Sequence, residues 1–280
     1  MSEIRLSSPL VSVTWLHENL DADNLVILDA SLPKAGLGEE TLTDLSIPGA
    51  RFMDLKNRWA DREATFPNTM LRPEEFQKEA RKLGICRNSA VVVYDQHGIY
   101  SSARAWFMLR SMGHDEVAVL DGGLPAWQNA GYEVGPKTAF SGPEGNFTAY
   151  PRTGFFVDHQ MVLRELESDS FLVLDARARD RFLGLVKEPR EGLRSGHIPH
   201  SRSLPYSDLQ KGGHMKDPHA LEALFSGFCP RDQSMVFSCG SGITACVLAL
   251  GAELAGRPVG AVFDGSWTEW GSRHELPIEK

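Results

Sequence analysis

The chain has 280 residues, 42% of them hydrophobic and 24% charged, with a formal net charge of −8. That length favours two domains over a single core, and the composition is that of an ordinary globular protein. The acidic balance excludes a general affinity for nucleic acid or anionic membrane, although local arginines can still hold a small anion. The opening MSEIRLSSPLVSVTWLHENL has no basic segment followed by an apolar one, so no secretory signal is expected. No run reaches the roughly 18 apolar residues of a membrane span. The four cysteines, Cys86, Cys229, Cys239 and Cys246, form no CxxC pair and have no histidines at ligand spacing. The expectation is reduced thiols in a cytoplasmic protein, with neither a metal nor a cofactor.

In chain order, NLVILDAS at residues 24–31 predicts a strand, and IPGARFMDL follows from Ile47. FQKEARKLGI at 76–85 predicts a helix and AVVVYD at 90–95 a central strand. SARAWFMLRSMG at 102–113 predicts a second helix, stopped by its glycine. VAVLDGGLPAWQNAGYEV completes the set from Val117. The whole set then recurs. FLVLDAR at 171–177 matches the first strand, with Asp175 for Asp29, and IPHSRSLPYSDL from Ile198 matches the second segment. ALEALFSGF precedes the new central run SMVFSC at 234–239, and TACVLALGAELAG follows it. GAVFDGSWTEWGSRHELPI from Gly260 closes the copy, pairing Asp264 with Asp121 and Trp270 with Trp127. The position shifts are 146, 151, 144, 143 and 143, which is a duplicated unit with small insertions. Residues 135–154 hold four glycines and three prolines, so a linker is expected at 139–154 between domains at 1–138 and 155–280. Continuous apolar strands alternating with helices predict an α/β fold: two tandem domains, each a mainly parallel sheet with helices on both faces.

In such sheets ligands gather beyond the carboxyl ends of the strands, where Cys239 stands. The apolar run ends at Ser238, a helix begins near Ile243 or Thr244, and CGSGIT turns between them. Gly240 and Gly242 free the backbone to turn successive N–H groups inward, and the helix adds its own unpaired N–H groups and dipole. Such a cradle favours an anion, and the thiolate is the nucleophilic form of cysteine. Ser241 and Thr244 can add hydroxyl donors. The first copy has Asp95 at the equivalent place, and a carboxylate cannot act as a thiol nucleophile, so that copy is expected to be catalytically silent.

These residues resemble the two-domain rhodanese-like sulfurtransferases over nearly the whole chain. The resemblance rests on LDAR at 174–177, GHIP at 196–199, the loop at 239–244 and DGSWTEWG at 264–271. In the first half YD at 94–95, RAWFMLRSMG at 104–113 and DGGLPAW at 121–127 carry it. It implies that Cys239 takes a sulfane sulfur from a small-molecule donor, becomes a persulfide and passes the outer sulfur to a nucleophile, with Ser241 assisting. Thiosulfate-preferring members carry basic residues in the loop, of the form CRKGVT; the 3-mercaptopyruvate enzymes carry CG(S/A)GVT. CGSGIT resembles the second, with Ile243 for valine. On the same resemblance Arg181 and Arg190 bind the donor's carboxylate and carbonyl, a task for which guanidinium geometry is suited. Gly240, Gly242, Ile243 and Thr244 line the donor site. Arg177, Arg179 and Arg194 are expected to be structural or surface residues, and His197 to make a structural hydrogen bond.

One position departs from the pattern. Related mercaptopyruvate enzymes carry a first-domain histidine assigned to an acid–base relay with a nearby acidic residue. Here Asn68 falls at that place, with Asp61 seven residues upstream, and asparagine cannot transfer a proton. Either Ser241 with water manages the proton, or the donor preference has shifted. The leading expectation is sulfur transfer from 3-mercaptopyruvate to a thiol such as that of thioredoxin, or to cyanide, releasing pyruvate. The alternatives are a thiosulfate sulfurtransferase, or a non-catalytic binding module, which would have lost its cysteine. A cysteine phosphatase would need an arginine closing the loop, and none follows before Arg257. Cys86, Cys229 and Cys246 are expected to be packing residues.

Overall fold

The apolar runs become the middle strands of two sheets in the computed structural model, which describes residues 3–166 and 170–280. Contacts divide the chain into two units. One holds the chain up to Arg62, Met70–Arg152 and Gly212–Met215; the other holds Glu63–Thr69, Thr153–Lys211 and Lys216–Lys280.

The sheet of the first unit contains β1 (Leu10–Val11), β2 (Leu25–Asp29), β3 (Arg51–Phe52), β4 (Ala90–Tyr94) and β5 (Val117–Leu120), in the order β1-β5-β4-β2-β3. Every pairing is parallel. All five residues of β4 are buried, as expected of a strand covered on both faces. One face carries α1 (Val13–Glu18) and α4 (Gly123–Asn129), whose Leu16, Leu124 and Trp127 pack with Ile27, Val92 and Tyr94. Helix α3 (Ser102–Ser111) lies against β4 and β5. Helix α2 (Pro73–Lys82) starts with proline, has Glu74 and Glu75 in its first turn and ends on Arg81 and Lys82, each suited to the helix dipole.

The sheet of the second unit repeats this plan. Its strands are β6 (Phe156–Val157), β7 (Phe171–Asp175), β8 (Arg202–Ser203), β9 (Ser234–Ser238) and β10 (Ala261–Phe263), in the order β6-β10-β9-β7-β8, again all parallel. Raising each strand number of the first sheet by five gives the second. Helices α5 (His159–Glu165) and α9 (Ser266–Ser272) cover one face, packing Val162, Trp267 and Trp270 on Val173, Val236 and Phe263. Helix α8 (Ala245–Leu254) lies against β9 and β10 and is buried from Ala245 through Ala252, which explains why it is apolar all round. Short α6 (Arg179–Phe182) and α7 (Pro218–Ser226) complete the unit. No helix among the described residues is long and apolar enough to cross a membrane.

The strand register positions the site. Asp29 is level with Tyr94 in one sheet, and Asp175 is level with Ser238 in the other. Asp95 and Cys239 are therefore each the first residue beyond the central strand, at the carboxyl end.

Residues 139–152 are irregular, yet they run along the first unit. Gly145 N donates to Arg81 O at 2.8 Å, Phe147 N to Ile85 O at 3.1 Å and Arg152 N to Ser111 O at 2.8 Å. The Phe147 ring, 2% exposed, packs against Phe76 and His114. Phe147→Ala should therefore cost the first unit about 3–5 kcal/mol. Urea unfolding followed by a probe in that unit measures it, and an unchanged midpoint would show that the stretch adds nothing to the core.

Candidate functional site

Residues 239–244 connect β9 to α8, whose N-cap is Thr244. Gly242 turns the loop at φ 78°, a conformation that favours glycine. Ile243 and Thr244 are buried, Gly240 and Ser241 half-buried, and Cys239 is 1% exposed. The start of α9 clamps the loop's first two peptides: Trp267 N donates to Cys239 O at 3.0 Å, and Thr268 N to Gly240 O at 2.8 Å. Thr268 Oγ1 donates to the same Gly240 carbonyl at 2.6 Å. Cys246 is buried below, its Sγ donating to Gly242 O at 3.4 Å. Cys229 is also buried and Cys86 half-buried.

Ser266 is a site residue that the sequence reading missed. Its Oγ accepts from Cys239 N at 3.1 Å, lies 4.0 Å from Cys239 Sγ and donates to Phe263 O at 2.8 Å. The shorter contact takes the hydroxyl proton. Ser266 stands at φ 48°, where the first repeat has Gly123 at φ 54°. A serine at a position whose counterpart is glycine was the available signal, since a side chain kept at strained φ often marks function.

Both arginines named above lie beside the loop. A Cβ on Gly240 would stand 3.2 Å from Arg181 NH2, so glycine there lets the guanidinium come close. Arg181 is held by Glu188, with NH2 at 2.6 Å from Oε2 and Nε at 3.3 Å from Oε1. Arg190 is exposed, and its NH1 donates to Thr268 Oγ1 at 2.6 Å, linking it through that hydroxyl to Gly240 O. Glu188 also accepts from Arg177 NH1 at 2.9 Å. Arg177 grips Asp175 through Nε and NH2, donates to Gly196 O and lies over the Trp267 ring at 4.4 Å. Burial opposes its charge, but the carboxylates of Asp175 and Glu188 prevail and hold the guanidinium above its ordinary value.

The neighbouring candidates are structural. Arg194 donates to the carbonyls of Trp270, Gly271, Arg273 and Leu276. His197 Nδ1 meets Phe182 O at 2.9 Å, with the two rings stacked. Arg179 is exposed. Asn68 belongs to the segment that clusters with the second unit, and its Nδ2 donates to Ser241 Oγ at 2.9 Å and Ser241 O at 3.3 Å. Asp61 belongs to the other unit, half-buried there. Among the described residues, no group of three or more His, Cys, Asp or Glu could hold a metal ion.

At the matching position of the first unit, the fully buried carboxylate of Asp95 fills a ring of donors. Oδ2 accepts from Tyr100 N at 2.7 Å, Ser101 N at 3.0 Å, Ser102 N at 2.9 Å and Ser102 Oγ at 2.7 Å. Oδ1 accepts from His97 N at 2.8 Å. The turn after the central strand of this repeat is thus a place built around an anion.

The Rhodanese-like domain description matches residues 12–130 and 158–273. The 3-mercaptopyruvate sulfurtransferase of Escherichia coli strain K12 is 36% identical over 275 residues, covering 96% of this chain and 97% of that protein. Thiosulfate/3-mercaptopyruvate sulfurtransferase 1, mitochondrial, of Arabidopsis thaliana is 37% identical, over 99% of this chain and 80% of its own. The crystal structure of SseA from Escherichia coli superposes with a TM-score of 0.83 at 32% identity, covering 93% of this chain and 99% of that one.

The buried ion network predicts a stability effect. Arg177→Ala should leave the buried Asp175 carboxylate without its guanidinium and Glu188 with Arg181 alone, and cost about 3–5 kcal/mol. Equilibrium denaturation of the second unit reads the loss, and a cost below about 1 kcal/mol would mean that water replaces the guanidinium there.

Proposed function

The chain belongs to the rhodanese-like family and is a sulfurtransferase; we propose that its donor is 3-mercaptopyruvate and that Cys239 carries the sulfur as a persulfide. A thiol such as that of thioredoxin, or cyanide, is the proposed acceptor. Four free cysteines suit the reducing, cytoplasmic setting that belongs to the same proposal. The observation that carries the reading is the carboxylate of Asp95 within its four backbone N–H groups and one hydroxyl. Cys239 stands at the same place in the sheet register, with a glycine-rich turn and a helix N-terminus after it. What favours a carboxylate in one copy favours a thiolate, and then a persulfide anion, in the other.

In the transfer, the Cys239 sulfur bonds to the donor's sulfur and the donor's carbon–sulfur bond breaks. The electron pair of that bond passes to the pyruvate enolate. The proton of the donor's thiol, shed by the new persulfide, completes the methyl group of pyruvate. Arg181 and Arg190 would hold the donor's carboxylate and carbonyl, since both lie beside Gly240 and a guanidinium matches a carboxylate in shape. Gly240, Gly242, Ile243 and Thr244 would line the donor site. Asp95, having no thiol, leaves the domain at 1–138 silent, and residues 139–154 would lead from it to the catalytic domain at 155–280. Thiosulfate as the preferred donor is the second reading, because a relative is named for both donors. A loop without charge of its own favours the first.

Incubation with 3-mercaptopyruvate should add one sulfur to the intact mass of the wild type and nothing to Cys239→Ser; an adduct that survives that substitution would overturn the assignment. Arg181→Ala and Arg190→Ala should each lower kcat/KM for mercaptopyruvate on the order of 10- to 100-fold, as expected for a lost charge-assisted hydrogen bond. Unchanged values in both variants would remove the arginines from the donor site, and a higher kcat/KM for thiosulfate would select the second reading.

A further inference from the structure

Asn68 faces the active loop in a manner that fixes the direction of a hydrogen bond. Its backbone is left-handed at φ 63°, which asparagine tolerates better than most residues. One atom of its amide contacts both the carbonyl and the hydroxyl of Ser241. A carbonyl can only accept, so that atom is the NH2 group, and the amide oxygen faces elsewhere. Ser241 Oγ therefore accepts from Asn68 and keeps its own single proton to give away.

We propose that Asn68 is a positioning residue that locks the Ser241 hydroxyl as a hydrogen-bond donor toward the enolate oxygen formed when the donor's carbon–sulfur bond breaks. The inference rests on the sulfur-transfer reading above. In that step the proton that reaches pyruvate comes from the donor's thiol, so the balance demands no proton from the protein. It demands a donor where negative charge gathers on oxygen, and a hydroxyl aimed beforehand supplies one without reorganising. Asparagine suits this task because it holds its donor group at every working pH, whereas histidine at the same position would alternate between two states.

The test is a double-substitution cycle on the rate of pyruvate release in a single turnover with 3-mercaptopyruvate. Asn68→Ala and Ser241→Ala should each slow the step about tenfold or more with little change in KM, and the double variant should be no slower than Ser241→Ala. Asn68→Asp, of nearly the same shape, should be slowed as well, since a carboxylate takes the Ser241 proton for itself. The wild-type profile of kcat against pH should lack a limb near pH 6.5, and Asn68→His should acquire one. Losses that simply multiply in the double variant, or a wild-type rate in Asn68→Asp, would overturn the role. Absence of any sulfur adduct on wild-type Cys239 would instead overturn the sulfur-transfer reading itself, so the two failures are told apart.

Discussion

A carboxylate shared by two guanidiniums underlies the geometry around the loop. Glu188 accepts from Arg177 on one side and Arg181 on the other, and Arg177 in turn holds Asp175 at the end of β7. Taking four charges out of bulk water is costly, and the arrangement persists only because each is matched in direction as well as in sign. Through it, the end of β7 dictates where Arg181 lies over Gly240. Arg177 also covers the Trp267 ring, and the N-terminus of α9, where that ring is rooted, grips the carbonyls of Cys239 and Gly240. The position of the Cys239 sulfur is thus tied to an aspartate at the end of the neighbouring strand, level with Ser238.

The first repeat meets the same demand with other parts. Asp29 ends β2 as Asp175 ends β7, but residue 31 is serine where the second copy has Arg177. The cation comes instead from Lys137, whose Nζ lies 3.0 Å from Asp29 Oδ2. That substitution fastens the segment after α4 to the strand end. Two solutions to one electrostatic requirement indicate that the requirement belongs to the frame rather than to the chemistry, and the frame then carries a carboxyl side chain at Asp95 in one copy and a thiol at Cys239 in the other.

The middle strands and the flanking helices were legible because β4 and β9 are unbroken apolar runs and their helices begin and end at recognisable residues. The loop at 239–244 was legible for the same reason: it joins two strong local patterns. The outer strands β1, β3, β6 and β8 are two residues long, too short for any periodicity. Glu188 sits in VKEPREGLR, which reads as a solvated charged loop, and only the fold brings it between two arginines. Ser266 was hidden because its role depends on a backbone angle. No local pattern announces that residues 63–69 cluster with the second unit, although this is what lets Asn68 touch Ser241.

The near-complete enclosure of Cys239 would divide the proposed sulfur transfer into an inward half and an outward one. An empty thiol at 1% exposure is shielded from bulky oxidants and from chance disulfide exchange. A sulfur carried on Cys239, as proposed above, would project about 2 Å farther along the new S–S bond. The cargo, not the carrier, would then be what a visiting acceptor meets.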